Sequence, residues 1–403
     1  MKKARWPAAL VAALLCAGTA SAQQMWFEKY RMKTPDTKFF EYLQRLSFNG
    51  DLRLRHDVSA KRGPGLNGRN RLRYRLRLGM EALLPWELSV NARLASGTGE
   101  QVSTNQSADN LSSQKGIYID QAYLRWSPIV SQEGDGSFYL QAGRMPNCLW
   151  RLYSSDLLWD DDWNPEGFGE GIEWLLPPGF TVFANAMQVV ADEDSNSGKD
   201  QWLFSQQVGG ETRLPFDTRF KAAAAYHSWS DVNRSSLGAA AVQDGNRRVG
   251  GVLANRFGVL ELTGQLSGWF RQTPVRLQAT LARNVRSVGL DGTAACAAAN
   301  TCPSARDGYQ YGAIIGEAKM PGTWEAAYFQ KYSQTDVTVA DAADSDFGDG
   351  GTNQQGQIAW LAYAPAEWMV FKAKYFNVDT IDTQFLPDNK AVRRYQGDVS
   401  LKF

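Results

Sequence analysis

The chain has very little histidine, little cysteine and, beyond its first residues, no long apolar run, and each shortage removes a class of function. Only His56 and His227 occur in 403 residues. They fall in separate segments, which excludes a histidine-rich metal centre. A Ser-His hydrolase would rest on one of these two residues, without the strained Gly-x-Ser-x-Gly turn that presents a nucleophilic serine. Of the four cysteines, Cys16 lies in an apolar leader and Cys148 stands alone. Cys296 and Cys302 sit together in an Ala-rich, polar stretch, where an oxidising compartment predicts a small loop disulfide. No run of about 18 apolar residues follows residue 22, so a spanning helix is excluded. No Pro- or Ser-rich linker and no charged low-complexity tract divides the chain, and one continuous domain is expected.

The first residues are of a recognisable kind. Lys2, Lys3 and Arg5 precede an apolar stretch that closes on Ala20-Ser21-Ala22, the pattern of a secretory signal with cleavage expected before Gln23. Leu14 and Leu15 ahead of Cys16 argue against a lipoprotein site. Without Lys2, Lys3 and Arg5, 40 of the 43 basic residues remain against 42 acidic ones, a net charge of −2. That balance excludes a generally nucleic-acid-binding surface. Residues 1–22 are therefore expected to be a signal peptide and 23–45 a periplasmic N-terminal segment of unreadable role, with a short helix expected in 25–44. Residues 46–403 are expected to be the folded body.

What is present in abundance is a period of two. In residues 69–80 the even positions are Asn70, Leu72, Tyr74, Leu76, Leu78 and Met80, while Arg69, Arg71, Arg73, Arg75 and Arg77 hold odd ones. A helix would scatter these arginines around its axis, whereas a strand gathers them on one side. Leu46, Phe48, Leu52 and Leu54 alternate likewise with Arg53 and Arg55, and Trp86, Leu88, Val90, Ala92 and Leu94 alternate with Arg93. Further strands are expected near 117–127, 137–145, 168–176, 179–191, 201–214, 217–229, 256–267, 274–287, 308–319, 322–334, 354–364, 367–379 and 393–403. The stretch 247–255 fits this pattern least well. These segments have the length of transmembrane strands, and an even number lets every strand pair on both sides in a bilayer without water. The predicted fold is all-β: a transmembrane antiparallel up-and-down barrel of about sixteen strands.

The connections alternate between tight and long. Leu84-Pro85-Trp86, Pro177-Pro178-Gly179, Pro215-Phe216-Asp217, Met320-Pro321-Gly322 and Ala364-Pro365-Ala366 are short turns, and 97–116, 146–167, 230–246, 288–307 and 335–353 are long. Short turns belong to the periplasmic rim and long loops to the exterior. Trp86, Tyr123, Trp126, Trp324, Trp360, Tyr363 and Trp368 are expected in the aromatic girdles of the two interfaces. The end of the chain, with Tyr395, Val399, Leu401 and Phe403 alternating with polar residues, looks like the closing strand read by the barrel-assembly machinery.

A lumen wide enough for sixteen strands is too large for side chains to fill. Charge on the lipid face is costly, so Arg53, Arg55, Arg71, Arg73, Arg75, Arg77 and Arg93 are expected to line the lumen as a basic wall. The third exterior loop, 146–167, is aromatic and acidic, and Asp160, Asp161, Asp162 and Glu166 are expected to face that wall across a constriction. Asp341, Asp344, Asp346 and Asp349 in the seventh loop are oxygen donors of the type Ca²⁺ takes, although a solvated acidic loop is the favoured reading. Gly63 to Gly68 matches G-x-G-x-x-G by letter but opens no helix, so no nucleotide role follows. Catalytic residues, metals and cofactors are not expected.

Three segments carry a resemblance: Ile119-Asp120-Gln121-Ala122-Tyr123-Leu124-Arg125-Trp126, Ala142-Gly143-Arg144-Met145-Pro146-Asn147, and Leu158-Trp159-Asp160-Asp161-Asp162-Trp163-Asn164-Pro165-Glu166-Gly167. They resemble the proteobacterial putative porin family, sharpest between about 70 and 175; where that pattern has a Pro-Phe pair this chain has Cys148-Leu149. The resemblance implies an outer-membrane channel, and in porins the corresponding loop folds into the barrel and narrows it. No agreed substrate or catalytic residue comes with it. The expectation is a passive diffusion channel for small hydrophilic solutes with an anion preference, its partners being outer-membrane lipid, the assembly machinery and the solutes, with a homotrimer left open. The alternatives are a channel for one solute class, such as an acidic nutrient or an exported polysaccharide, and a non-conducting structural or adhesin barrel.

Overall fold

In the computed structural model the described residues are 45–62, 67–130, 136–153, 157–177, 179–193, 195, 200–232, 245–249, 252–286, 305–381 and 391–403. The expected signal peptide, the N-terminal segment up to residue 44, the turn at Gly63 to Leu66 and the Cys296–Cys302 pair lie outside them. Sixteen long strands form one antiparallel sheet: β1 (Leu46–Arg62), β2 (Arg69–Leu84), β3 (Leu88–Ser96), β4 (Ile117–Val130), β5 (Gly136–Arg144), β6 (Glu166–Leu176), β7 (Phe180–Asp192), β8 (Gln201–Leu214), β9 (Thr218–Trp229), β10 (Gly258–Phe270), β11 (Thr273–Asn284), β12 (Asp307–Gly316), β13 (Thr323–Ser333), β14 (Gln354–Ala366), β15 (Met369–Thr380) and β16 (Ala391–Lys402). Each pairs with its neighbours in sequence, and β16 closes on β1 in a register running from Asp51 opposite Lys402 to Arg62 opposite Ala391. Closure removes the sheet edges that hydrocarbon could not satisfy.

The sequence pattern explains both faces. On β1, Leu54 and His56 are exposed on the outer surface while Arg55, Asp57 and Ser59 are buried inside. Leucines 72 and 78 of β2 are exposed on the same outer face, and its arginines turn inward. No described helix is long and apolar enough to cross a membrane, so the crossing is made by strands.

Strand positions agree with the periodicity to within a few residues, and the departures sit at turns. The sequence starts a strand at Trp86 and at Asp217, but Trp86, Glu87, Phe216 and Asp217 all adopt positive φ. Each pair follows a proline, and Leu84 opposes Leu88 just as Leu214 opposes Thr218, so both hairpins spend three residues on the turn. Residues 247–255 contribute a separate two-residue hairpin, Arg248–Val249 with Val252–Leu253, outside the barrel sheet. Gln106–Ser107 fold back from the loop at 97–116 and pair with Arg73 and Tyr74 above the point where β3 ends.

Two of the expected girdle aromatics belong elsewhere. Trp360 is buried on the inner face of β14 and donates its indole Nε1–H to Glu325 Oε1 at 2.8 Å. Tyr123 packs inward against the buried cluster that contains Met145 and Trp159. Tyr123 shares its side of the strand with Gln121 and Arg125, which the period shows, whereas Trp360 shares its row with Ile358 and Ala362, so the period alone does not assign it to the inner face.

Candidate functional site

The interior is narrowed by three long loops, at 97–116, 145–165 and 334–353. The third loop, 145–165, is held by apolar packing against the wall away from the arginines. Met145, Leu149, Leu157, Leu158 and Trp159 share one buried cluster with Met187, Val189, Leu203, Trp229, Val259 and Ala282 of the strands. Burying such a side chain is worth about 1.5–3 kcal/mol, so this contact sets the path of the loop. Trp159 is its centre, stacked on Trp163 at 4.9 Å and set edge-on to His227 at 5.0 Å.

His227 itself is fixed from both sides. Ser205 Oγ lies 3.0 Å from its Nδ1 and Glu261 Oε2 lies 3.0 Å from its Nε2. The order resembles a hydrolase relay, yet Ser205 is completely buried beneath the loop. No substrate reaches its hydroxyl in this conformation, and the three residues act as a polar footing for Trp159.

Opposite this footing stands the basic wall. Arg75 donates to Asp51 Oδ1 at 2.8 Å and Arg77 to Asp51 Oδ2 at 2.6 Å. Arg71 pairs with Asp57 at 2.7 Å, and Arg73 and Arg394 approach the same carboxylate at 3.9 and 3.5 Å. Arg55 bridges Asp398 and Asp346, both at 2.7 Å, and Arg93 pairs with Asp120. Arg53 donates to the neutral Asn105 Oδ1 at 2.6 Å and has no carboxylate in contact among the described residues.

Only one of the four acidic residues expected opposite the wall is in contact with it. Asp162 lies 3.5 Å from both Arg75 and Arg77 and accepts from the Thr104 hydroxyl at 3.1 Å. Burial pushes its carboxyl up, but Arg75, Arg53 and Arg77 overcome that and hold it below the usual carboxylate range. Asp160 turns away and accepts backbone N–H groups from Asp162 and Ser345, each at 2.8 Å. Burial first, and then Asp162 and Asp344, raise it well above that range. Asp161 pairs with Arg151 at 3.2 Å and Glu166 with Arg144 at 2.7 Å, so both are satisfied away from the arginine wall. Consecutive acids point in different directions because this loop is irregular, and adjacency along it does not mean a shared face.

The seventh loop supplies what the sequence assigned to the third. Asp346 answers Arg55 and lies 3.7 Å from Arg394, while Asp344 pairs with the fully buried Lys331 at 3.0 Å. Burial raises Asp346, yet Arg55, Arg394 and Lys374 together hold it well below the carboxylate range. The expectation of a solvated acidic loop is overturned here: Asp344 and Asp346 are folded into the barrel as counter-charges. No cluster of metal-ligating residues occurs among the described residues.

Within the contacts just given, eight guanidinium groups meet six carboxylates. The wall is largely neutralised, and the residual charge is positive and centred on Arg53 and Arg73. Among the described residues the Arg73 guanidinium has Ser103 Oγ at 3.5 Å and Asp57 at 3.9 Å as its contacts.

Comparison with known proteins agrees with this architecture. No curated protein sequence matches the chain. Among solved structures, Pseudomonas putida OprB superposes with a TM-score of 0.56 at 10% identity, covering 91% of this chain and 96% of that one. A triple mutant of the Rhodopseudomonas blastica porin gives 0.44 at 10% identity over 89% of this chain and all of that one, and another mutant of that porin gives 0.45. The first likeness shows the barrel fold. The family described as "Putative porin" matches residues 62–248 and 236–403, nearly all of the sheet. With a closed sixteen-strand barrel, an inward polar face and loops folded into the lumen, this chain belongs to the putative porin family and is an outer-membrane porin channel.

Proposed function

We propose that this porin passes small hydrophilic solutes by passive diffusion with a preference for anions, and that the arginine wall and the inward-folded loops set the selectivity. The observation that carries the reading is the excess of guanidinium over carboxylate at the narrowed section, with Arg53 and Arg73 lacking a close acidic partner. A confined section holds little screening water, so an uncompensated charge there acts on a passing ion more strongly than it would in bulk. Asp51, Asp57, Asp162, Asp346 and Asp398 stiffen the wall and limit its net charge, which supports a mild preference over an exclusive one. Exterior placement of the long loops and periplasmic placement of the short turns follow the pattern of such barrels.

Recordings across a planar bilayer test this. Purified protein should give large ohmic steps in KCl and a zero-current potential of the sign for chloride under a salt gradient. Neutralising Arg53 and Arg73 together should move that potential towards cations. An unchanged potential in that variant would overturn the assignment of selectivity to this wall.

A further inference from the structure

A second basic patch lies on the lumen wall apart from the arginine ladder. Lys372 and Lys374 occupy alternate positions of β15, between the outward Phe371, Ala373 and Tyr375. Neither has a carboxylate within ion-pair distance among the described residues. Their neighbours are rings: Lys372 Nζ lies 4.4 Å from the centre of Trp360 and 5.5 Å from that of Tyr153, and Lys374 Nζ lies 4.6 Å from Phe376 and 6.0 Å from Trp360. The carboxylate in reach of these rings, Glu325, is already committed. It accepts from Arg276 at 3.0 Å, from Trp360 Nε1 at 2.8 Å and from the Tyr153 hydroxyl at 3.3 Å.

Tyr153 comes from the third loop and is about half exposed in the lumen. Its hydroxyl is 3.4 Å from Lys372 Nζ, and its ring meets Trp360 edge-on at 6.2 Å. Another lysine beside a ring of this loop, Lys221 next to Trp150, has Glu211 within 3.8 Å, so its charge is answered. Lys372 and Lys374 have no carboxylate that close among the described residues.

We propose that Lys372, Lys374 and Tyr153 form a lumenal binding site for small aromatic carboxylates. The two ammonium groups supply donors for a carboxylate, and the flanking rings supply apolar surface for a planar body at the edge-on or offset distances that aromatic pairs prefer. A compact, strongly hydrated ion such as phosphate would lose water against Tyr153, Trp360 and Phe376 without replacement partners, so an anion with an apolar body fits better. A conduction site must also release what it binds, and a surface built from two lysines and one half-exposed tyrosine does not enclose its ligand.

The proposal rests on the channel reading and can fail without it. Benzoate should reduce the single-channel current of the wild-type porin in KCl in a concentration-dependent way, while acetate at equal concentration should not. Lys372→Gln with Lys374→Gln should weaken block by about tenfold or more, the order expected for losing hydrogen bonds to a charged ligand. Tyr153→Leu, a loop change outside the barrel sheet, should weaken block by benzoate. Equal block by benzoate and acetate, or unaltered block in both variants, overturns the site. Should the wild type pass no current, the channel reading falls. Calorimetric titration of the detergent-solubilised full chain with benzoate then decides the site separately, a heat lost in the double-lysine variant supporting it and no heat in the wild type refuting it.

Discussion

Replacing Trp159 with alanine tests which forces hold the third loop inside the barrel. Its indole is 2% exposed and contacts Trp163, His227 and Trp229, so truncation removes the middle of the cluster that joins the loop to the wall. A buried Trp→Ala change costs about 3–5 kcal/mol. The polar tether on the other side is easier to give up: Asp162 meets Arg75 and Arg77 at 3.5 Å each, and both arginines keep Asp51 at 2.8 and 2.6 Å, so its neutralisation leaves neither guanidinium without a carboxylate. Trp159→Ala should therefore release the loop where Asp162→Asn does not. The expected result is larger, noisier single-channel steps and faster tryptic cleavage at Arg151, with the heat-resistant mobility of the folded barrel retained on gels. Asp162→Asn should change ion selectivity more than step size. Wild-type conductance and protease resistance in the Trp159 variant would refute the reasoning that apolar packing sets the loop's path.

Other consequences follow from the charge arrangement. Asp346→Asn removes the carboxylate that Arg55 and Arg394 share and leaves Arg55 with Asp398 and Arg394 with Asp57, so the seventh loop should loosen at a cost below the about 3–5 kcal/mol of a fully unpaired buried charge; hydrogen exchange across 335–353 reads this, and selectivity should move further towards anions. Neutralising Arg53 alone, which has Asn105 as its partner, should shift the zero-current potential more than neutralising Arg93, which is matched by Asp120, under the same salt gradient. Asp336 is pushed up to about 6 because burial outweighs its contacts with Arg247 and Asn255. Its protonated form is favoured in the folded loop, so its contribution is complete below about pH 4 and is lost as pH rises through about 6. Asp346, held low, keeps its contribution until far more acid. Exchange protection of the seventh loop should thus increase from pH 7 to pH 5, and Asp336→Asn should abolish that increase.

The barrel was legible because a two-residue period survives in a single sequence. Leu72, Leu76 and Leu78 against Arg71, Arg73, Arg75 and Arg77 define a strand and its two environments without further information. The partners of those arginines were legible only in part, because ion pairing across a barrel depends on loop paths that carry no period. Arg55 meets Asp346, nearly 300 residues away, and nothing local in 341–349 separates a folded-in carboxylate from a solvated one. The third loop was singled out by its aromatic content, and that content does anchor it, although its acids diverge. Trp360 shows the same lesson inside a strand: its row, with Ile358 and Ala362, is as apolar as the outward one, and its inward place is explained by Glu325 and Lys372 on other strands. Lys372 and Lys374 repeat the alternation of the arginine ladder on a strand with fewer charges, a signal readable in the sequence itself.

Cysteine scanning along β2 addresses the central claim most directly. In a background with Cys148, Cys296 and Cys302 replaced by serine, single cysteines are placed at 71 to 78 and treated with a charged, membrane-impermeant thiol reagent during current recording. Modification at 71, 73, 75 and 77 should reduce the current stepwise, and modification at 72, 74, 76 and 78 should leave it unaffected. Equal responses at odd and even positions, or block confined to the even ones, would contradict a conduction path lined by the arginine face.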